Sequence, residues 1–238
     1  MVHLTESPYI RFLDNPITTP LVESWVTIRD QLESHVTKAR SRVDDHDRKF
    51  TKPNAITDKF QKSLYHGRFD GFSMLLRGSL LDENEKMAIG WRDDEQIRWN
   101  PSYWQSSMPF MTKYINDRMD FIGAVTFNTS HPGSILNHHW GLNQNYLRLH
   151  LCLDAAEGCV FDIEGWTHQW FNGELFGFDD ANVLHGTTHT GNKPRTILIV
   201  DVWKSVIKKY ATTWPCRIQR PGHETWDEIM ARAGITQV

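Results

Sequence analysis

Residues 147–153 read Leu-Arg-Leu-His-Leu-Cys-Leu, an unbroken alternation of leucine with other side chains. Side chains of an extended strand point to opposite faces in turn, so a repeat of two predicts a strand with one buried face. The leucines would cover a core. Arg148, His150 and Cys152 would then share the opposite face. A strand that turns an arginine and a histidine together away from its leucines lines something polar.

The surrounding chain supplies partners for that strand. From residue 121 onward, short apolar runs recur at 121–127, 135–140, 146–153, 159–163, 167–171, 175–178, 183–188 and 196–203, with Gly, Asn and Asp clusters between them. Strands at that spacing predict a jelly roll or related barrel. The upstream part is different. Pro8, Pro16 and Pro20 punctuate an irregular lead-in, and Leu21, Trp25, Ile28, Leu32 and Val36 then recur at helical steps, predicting a helix over 21–50. Beyond the break at Pro53-Asn54, a second helix is expected over 55–65, and short strands over 72–77 and 86–91. Asn100-Pro101 reads as a helix start running to about 116, and 225–233 as a short amphipathic helix. The expected organisation is one compact domain. A helical N-terminal segment (1–120) packs on the barrel and covers the substrate, 121–205 form the jelly-roll core, and 206–238 form a C-terminal extension.

Composition narrows the function classes. Of 238 residues, 39% are hydrophobic and 23% charged, and the net charge is −3 with no Lys/Arg-rich run, which argues against a nucleic-acid partner. Three cysteines (Cys152, Cys159, Cys216) without CxxC spacing suit a reducing compartment. The first residues lack the basic and apolar regions of a signal peptide, and no apolar run reaches membrane-spanning length. The expectation is therefore a cytoplasmic protein without a membrane partner, its oligomeric state open.

Two histidine positions suggest a metal. Ferrous oxygenases commonly hold iron with two histidines and a carboxylate on one face. Asn137-His138-His139-Trp140-Gly141 and the later His185 have the order expected of such a barrel, but the position two after His139 is Gly141, which carries no carboxylate. Periodicity alone leaves open which of His138 and His139 points inward. Ten residues after His185, Arg195 begins the apolar run Thr-Ile-Leu-Ile-Val-Asp-Val-Trp, where a guanidinium suits two-pronged capture of a carboxylate.

Together these residues resemble the aspartyl/asparaginyl β-hydroxylase family of Fe(II)/2-oxoglutarate oxygenases. The likeness lies in His131-Pro132-Gly133, His139-Trp140-Gly141, Leu147-Arg148-Leu149-His150-Leu151, Glu157-Gly158-Cys159, Phe178-Asp179-Asp180, His185, and Arg195 through Val200-Asp201-Val202-Trp203. It covers about residues 121–205. The resemblance implies a mainly β, cupin-like double-stranded β-helix behind a helical N-terminal part. It also implies Fe(II) held by His139 and His185, with 2-oxoglutarate and O2 as cosubstrates. Arg195, His150, Asn128 and, in a looser match, Trp91 fall on the family's 2-oxoglutarate contacts, while Arg148 falls on an arginine between cosubstrate and substrate. Gly141 matches the family's glycine in place of the usual acid. Leu142 stands where a proline is usual, an extra residue separates Asp180 from His185, and Lys204-Ser205 replaces a His-Pro.

The leading expectation is hydroxylation of an aliphatic C–H on a small amino-acid-like or carboxylate-bearing substrate, a small molecule being preferred to a peptide. A radical halogenase using the open position at Gly141 is the alternative, and a non-catalytic jelly-roll binding protein is a third reading. No residue is singled out as a catalytic acid or base.

Overall fold

The computed structural model describes residues 8–42, 65–76, 79–80, 88–92, 95–99, 105–141 and 144–214. The helix predicted at 55–65, apart from Tyr65, which is a strand residue, the helix at 225–233 and the Asn100-Pro101 start lie outside them. Eight consecutive strands form the barrel: β6 (Ile122–Ser130), β7 (Ile135–His139), β8 (Tyr146–Asp154), β9 (Cys159–Ile163), β10 (Trp166–Gln169), β11 (Leu175–Phe178), β12 (His185–His189) and β13 (Arg195–Trp203). Each of the eight runs predicted downstream of residue 121 is a strand. They divide into two antiparallel sheets, ordered β11-β8-β13-β6 and β7-β12-β9-β10. Successive strands cross between the sheets except at the β9–β10 hairpin, and this nested order is the connectivity of a double-stranded β-helix.

The described residues of the N-terminal part include strands as well as helices. It holds α1 (Thr19–Glu23) and α2 (Trp25–Arg42), but also β1 (Tyr65–His66), β2 (Phe69–Leu76), β3 (Ser79–Leu80), β4 (Ala88–Arg92) and β5 (Glu95–Trp99). β1 extends one sheet beyond β7, and β2 and β3 extend the other beyond β6. A barrel strand at a sheet edge exposes unpaired backbone groups, and these added strands satisfy them. At the opposite edge, Ile10 exchanges two backbone hydrogen bonds with Gly177 of β11, at 2.7 and 2.9 Å. The predicted helix over 21–50 is two helices divided at Ser24. The helix predicted from 100 to 116 is also interrupted. Met108 leaves the helical region because Pro109 disfavours a helical residue before it, and α3 (Pro109–Asn116) starts afresh with the proline in its first turn.

Two apolar cores lie on either side of the β11-β8-β13-β6 sheet. Outside it, Leu21, Ile28 and Leu32 of the first helices and Met111, Tyr114 and Ile115 of α3 pack on Leu147, Leu149, Leu151, Leu153, Leu198 and Val200. The leucines of the alternating strand therefore serve the helix-covered face. Deleting one such buried leucine to alanine costs about 2–5 kcal/mol. Inside the barrel, Cys152, Phe161, Ile163, Trp170, Phe176, Phe178, Val183 and Ile197 form the second core. Arg148 and His150 belong to the same inward row as Cys152, as the alternation requires.

Candidate functional site

The barrel interior gathers most of the residues singled out in the sequence. His139, last in β7, and His185, first in β12, are direct cross-strand partners with ring centroids 4.3 Å apart. Directly opposed residues of antiparallel strands share a face, so both rings project inward. His138 projects the other way and meets Asp162 at 2.8 Å on the outside.

Both inward histidines are oriented alike. Nδ1 of His139 bonds to the Asn137 carbonyl at 2.8 Å, and Nδ1 of His185 to the Val183 carbonyl at 3.0 Å. A carbonyl only accepts, so each Nδ1 carries the proton. In the neutral ring, Nε2 is then left with a free lone pair. Backbone tethering of this kind also fixes metal-binding histidines. Burial first, then the neighbouring His185 charge, lower the pKa of His139 to about 4.

Gly141 has a close neighbour. A Cβ built there would collide with the Asp180 carboxylate, and the Gly141 N–H donates to the Asp180 carbonyl at 2.7 Å. Asp180, just beyond β11, therefore fills the space that an acid at position 141 would occupy. Its Oδ1 lies 3.2 Å from Nε2 of His185 and accepts from Nη1 of Arg148 at 2.7 Å. Burial opposes its ionisation, but Arg148, followed by the two histidines, holds the carboxyl well below the usual carboxylate range. A carboxylate oxygen and an imidazole lone pair at that separation need a proton or a cation between them.

Arg148 is held from a second side. Its Nε and Nη2 donate to the two oxygens of Asp201 at 2.8 and 2.9 Å, a two-pronged pair across the β8–β13 ladder. The arginine expected to meet substrate is thus engaged by two carboxylates.

Further along the inward row stand His150 and, at the start of β13, Arg195. Arg195 is 2% exposed, with its Cζ 4.4 Å from the centroid of the Trp170 ring. Nε and Nη1 of Arg195, Nδ1 of His150 and Nε1 of Trp170 are buried without a hydrogen-bond partner. Burial, reinforced by the Arg148 and Arg195 charges, drives the His150 pKa far down and keeps it neutral. Burial pushes the Cys152 thiol up to about 12, so it stays protonated. Asn128 is paired with Ile197 on β6, which places it on the inward face near Arg195. Trp91 lies in β4, which pairs with β5, and its side chain is outside the described residues.

Among the described residues, no three His, Cys, Asp or Glu side chains are grouped to hold a metal unaided. The two histidines are what the chain presents, in keeping with a glycine at 141. Sequence reasoning gave no role to Asp180, Asp201 or Trp170. The only local signal for Asp180 is the Asp-Asp pair ending an apolar strand five residues before His185.

The family model for aspartyl/asparaginyl beta-hydroxylase matches residues 22–205. The chain belongs to that family. The family match thus extends well upstream of the stretch that carries the motif resemblance. Among curated relatives, the chain is 31% identical over 84 residues to human "Aspartate beta-hydroxylase domain-containing protein 2", spanning 34% of this chain and 22% of the relative. It is 29% identical over 103 residues to the Xenopus tropicalis protein of the same name, spanning 40% and 28%. The mouse "Aspartate beta-hydroxylase domain-containing protein 1" is 32% identical over 84 residues, spanning 34% and 23%. The match therefore spans about a quarter of the length of these relatives. Among solved structures, a predicted oxalate decarboxylase from Thermotoga maritima aligns with TM-score 0.31 at 17% identity, over 39% of this chain and 73% of that one. The cupin domain of Schizosaccharomyces pombe Cnp3 aligns with TM-score 0.30 at 8% identity, over 36% and 59%. No helix of the described residues is long and apolar enough to cross a membrane.

Proposed function

We propose that this β-hydroxylase family member is an Fe(II)/2-oxoglutarate-dependent hydroxylase acting on an aliphatic C–H of a small, carboxylate-bearing or amino-acid-like substrate. The observation that carries this reading is the coexistence, inside one barrel, of two inward histidines tethered through Nδ1 and a buried Arg195 guanidinium whose Nε and Nη1 have no hydrogen-bond partner. The residues present fit the group. His139 and His185 would hold Fe(II) through Nε2, and the buried Asp180 carboxylate supplies the negative charge that position 141 does not. Arg195, with His150 and Asn128 on the same inward face, would receive the far carboxylate of 2-oxoglutarate. Bound iron, 2-oxoglutarate and O2 together supply the oxidising chemistry.

The protein's own contribution is orientation and exclusion of water. Phe161, Phe176, Phe178 and Trp170 line the inner core with apolar surface, so the charged ends of a cosubstrate would meet donors in a dry setting where they bind strongly. Arg148 is engaged by two carboxylates, Asp201 and Asp180, which together more than balance its single charge, so its part is to hold Asp180 in place beside His185.

Halogenation would need an open, anion-holding position beside the histidines. Asp180 already brings a carboxylate against Gly141, and a halide there would sit beside a like charge. That favours hydroxylation. The test is anaerobic titration with Fe(II) and 2-oxoglutarate, expecting a weak visible metal-to-ligand charge-transfer band that neither component gives alone. Failure of the band to form with iron bound would exclude 2-oxoglutarate as the cosubstrate.

A further inference from the structure

Resting on the 2-oxoglutarate reading above, we propose that Trp170 is part of the cosubstrate site, its ring holding the Arg195 guanidinium and its indole N–H donating to the same far carboxylate.

Three observations meet at this side chain. First, Trp170 follows β10 directly and turns inward, 2% exposed, against Phe161 at 5.4 Å between ring centroids. Second, the Arg195 guanidinium carbon lies 4.4 Å from the Trp170 ring centroid, well inside the range of a cation–π contact. A guanidinium laid on a fixed aromatic face keeps its planar fork in one orientation, and its edge donors stay free for a ligand. Third, Nε1 of Trp170 has no hydrogen-bond partner, and neither do Nε and Nη1 of Arg195 or Nδ1 of His150. His150 itself lies over Trp170, with ring centroids 6.3 Å apart and planes 29° from parallel.

A single unpartnered buried donor is a small anomaly. Unpartnered polar atoms on three adjoining side chains, two of them obligatory donors, describe a place built for an acceptor that arrives from outside. Phenylalanine would fill the ring position without burying an unmet N–H, and tryptophan is used in cores where its N–H reaches a partner. A carboxylate offers two oxygens and several lone pairs, enough for the guanidinium edge and an indole N–H together.

Calorimetry on the Mn(II)-loaded protein under anaerobic conditions separates the roles, with 2-oxoglutarate and pyruvate as probes. Pyruvate shares the 2-oxo acid head but lacks the far carboxylate. Trp170→Phe keeps an aromatic face beneath Arg195 and removes the N–H together with part of the ring. It should weaken 2-oxoglutarate about ten-fold, since a bond to a charged acceptor is lost. It should leave pyruvate binding unchanged, because the smaller ring's packing cost falls on both probes alike and only the far carboxylate loses a donor. Trp170→Leu, which also frees Arg195, should weaken 2-oxoglutarate further. Unchanged 2-oxoglutarate affinity in Trp170→Phe overturns the assignment, as does a parallel loss for both probes. If the unsubstituted protein binds pyruvate but gains nothing from the far carboxylate, or binds neither, then the cosubstrate reading fails and this assignment fails with it.

Discussion

The Asp180 carboxylate occupies the volume that any side chain at Gly141 would need, while the Gly141 N–H donates to the Asp180 carbonyl at 2.7 Å. Residues 39 positions apart in sequence thus share one site: the chain has an inward carboxylate beside the histidines, but from the turn after β11 instead of from β7.

Gly141→Ala should therefore destabilise the metal-free protein by about 1–3 kcal/mol, as overpacking of a filled site does. The same substitution on an Asp180→Ala background should cost much less, because the colliding group is gone. Denaturant unfolding of the four proteins gives the coupling energy. Additive costs would show that the two residues do not compete for space.

The metal assignment predicts unequal histidines. His139→Ala and His185→Ala should each lower Fe(II) content sharply, whereas His138→Ala should retain it and lose only an outward contact with Asp162. Iron analysis after anaerobic loading and desalting reads the difference. Iron lost from the His138 variant and kept in the His139 variant would reverse the assignment.

The barrel was legible in the sequence because its strands are half-buried, and half-burial writes a period of two. β8 is the clearest case: its leucines face the helices and Arg148, His150 and Cys152 face inward. His139, His185, His150 and Arg195 stood out through the motif resemblance, and the fold brings the two histidine rings together and lays Arg195 over Trp170 beside His150. β5 (Glu95–Trp99) was not predicted, since Glu-Gln-Ile-Arg-Trp shows no run of apolar alternation and its partner is local hairpin pairing with β4. The Asp201–Arg148–Asp180 chain was equally hidden. Its members lie 53 and 32 residues apart, and only the barrel register brings them together.

Acid should weaken the metal-free fold through His139. Its pKa is about 4 in the folded protein, below the unfolded value near 6.5, so the unfolded chain binds the proton more readily between those limits. The contribution is fully present above about pH 6.5 and is lost as pH falls towards 4, by on the order of 3 kcal/mol. Asp180, whose folded pKa is also depressed, adds stability above the usual carboxylate range that disappears at still lower pH. Unfolding curves in chelator from pH 7 to 4 should show the first loss, and His139→Gln should flatten it. A pH-independent midpoint would rule it out.

Arg195→Ala should raise the 2-oxoglutarate concentration needed for half-maximal turnover by ten-fold or more, because charge-assisted bonds of this kind are worth about 1.5–3 kcal/mol. Fe(II) affinity measured without cosubstrate should be unchanged. An unaltered 2-oxoglutarate requirement would mean that another group holds the far carboxylate.

Arg148 can act in two ways, and they separate cleanly. Its fork is closed on Asp201, and its remaining Nη1 holds Asp180 at 2.7 Å, so its first consequence is to fix the carboxylate beside His185. Arg148→Gln would leave Asp180 and Asp201 as neighbouring buried carboxylates without their cation. Removing one member of such a network costs about 3–5 kcal/mol when fully buried, and less here, where the arginine side chain is 28% exposed. If positioning is its main role, Fe(II) or Mn(II) affinity should fall in the absence of any substrate, and Arg148→Lys should restore only part of it because an ammonium cannot span both acids in the same way. If recognition of a substrate carboxylate is its main role, metal affinity should hold while the Michaelis constant for substrate rises. The contact geometry favours the first outcome, and metal titration by electron paramagnetic resonance on the two variants decides it.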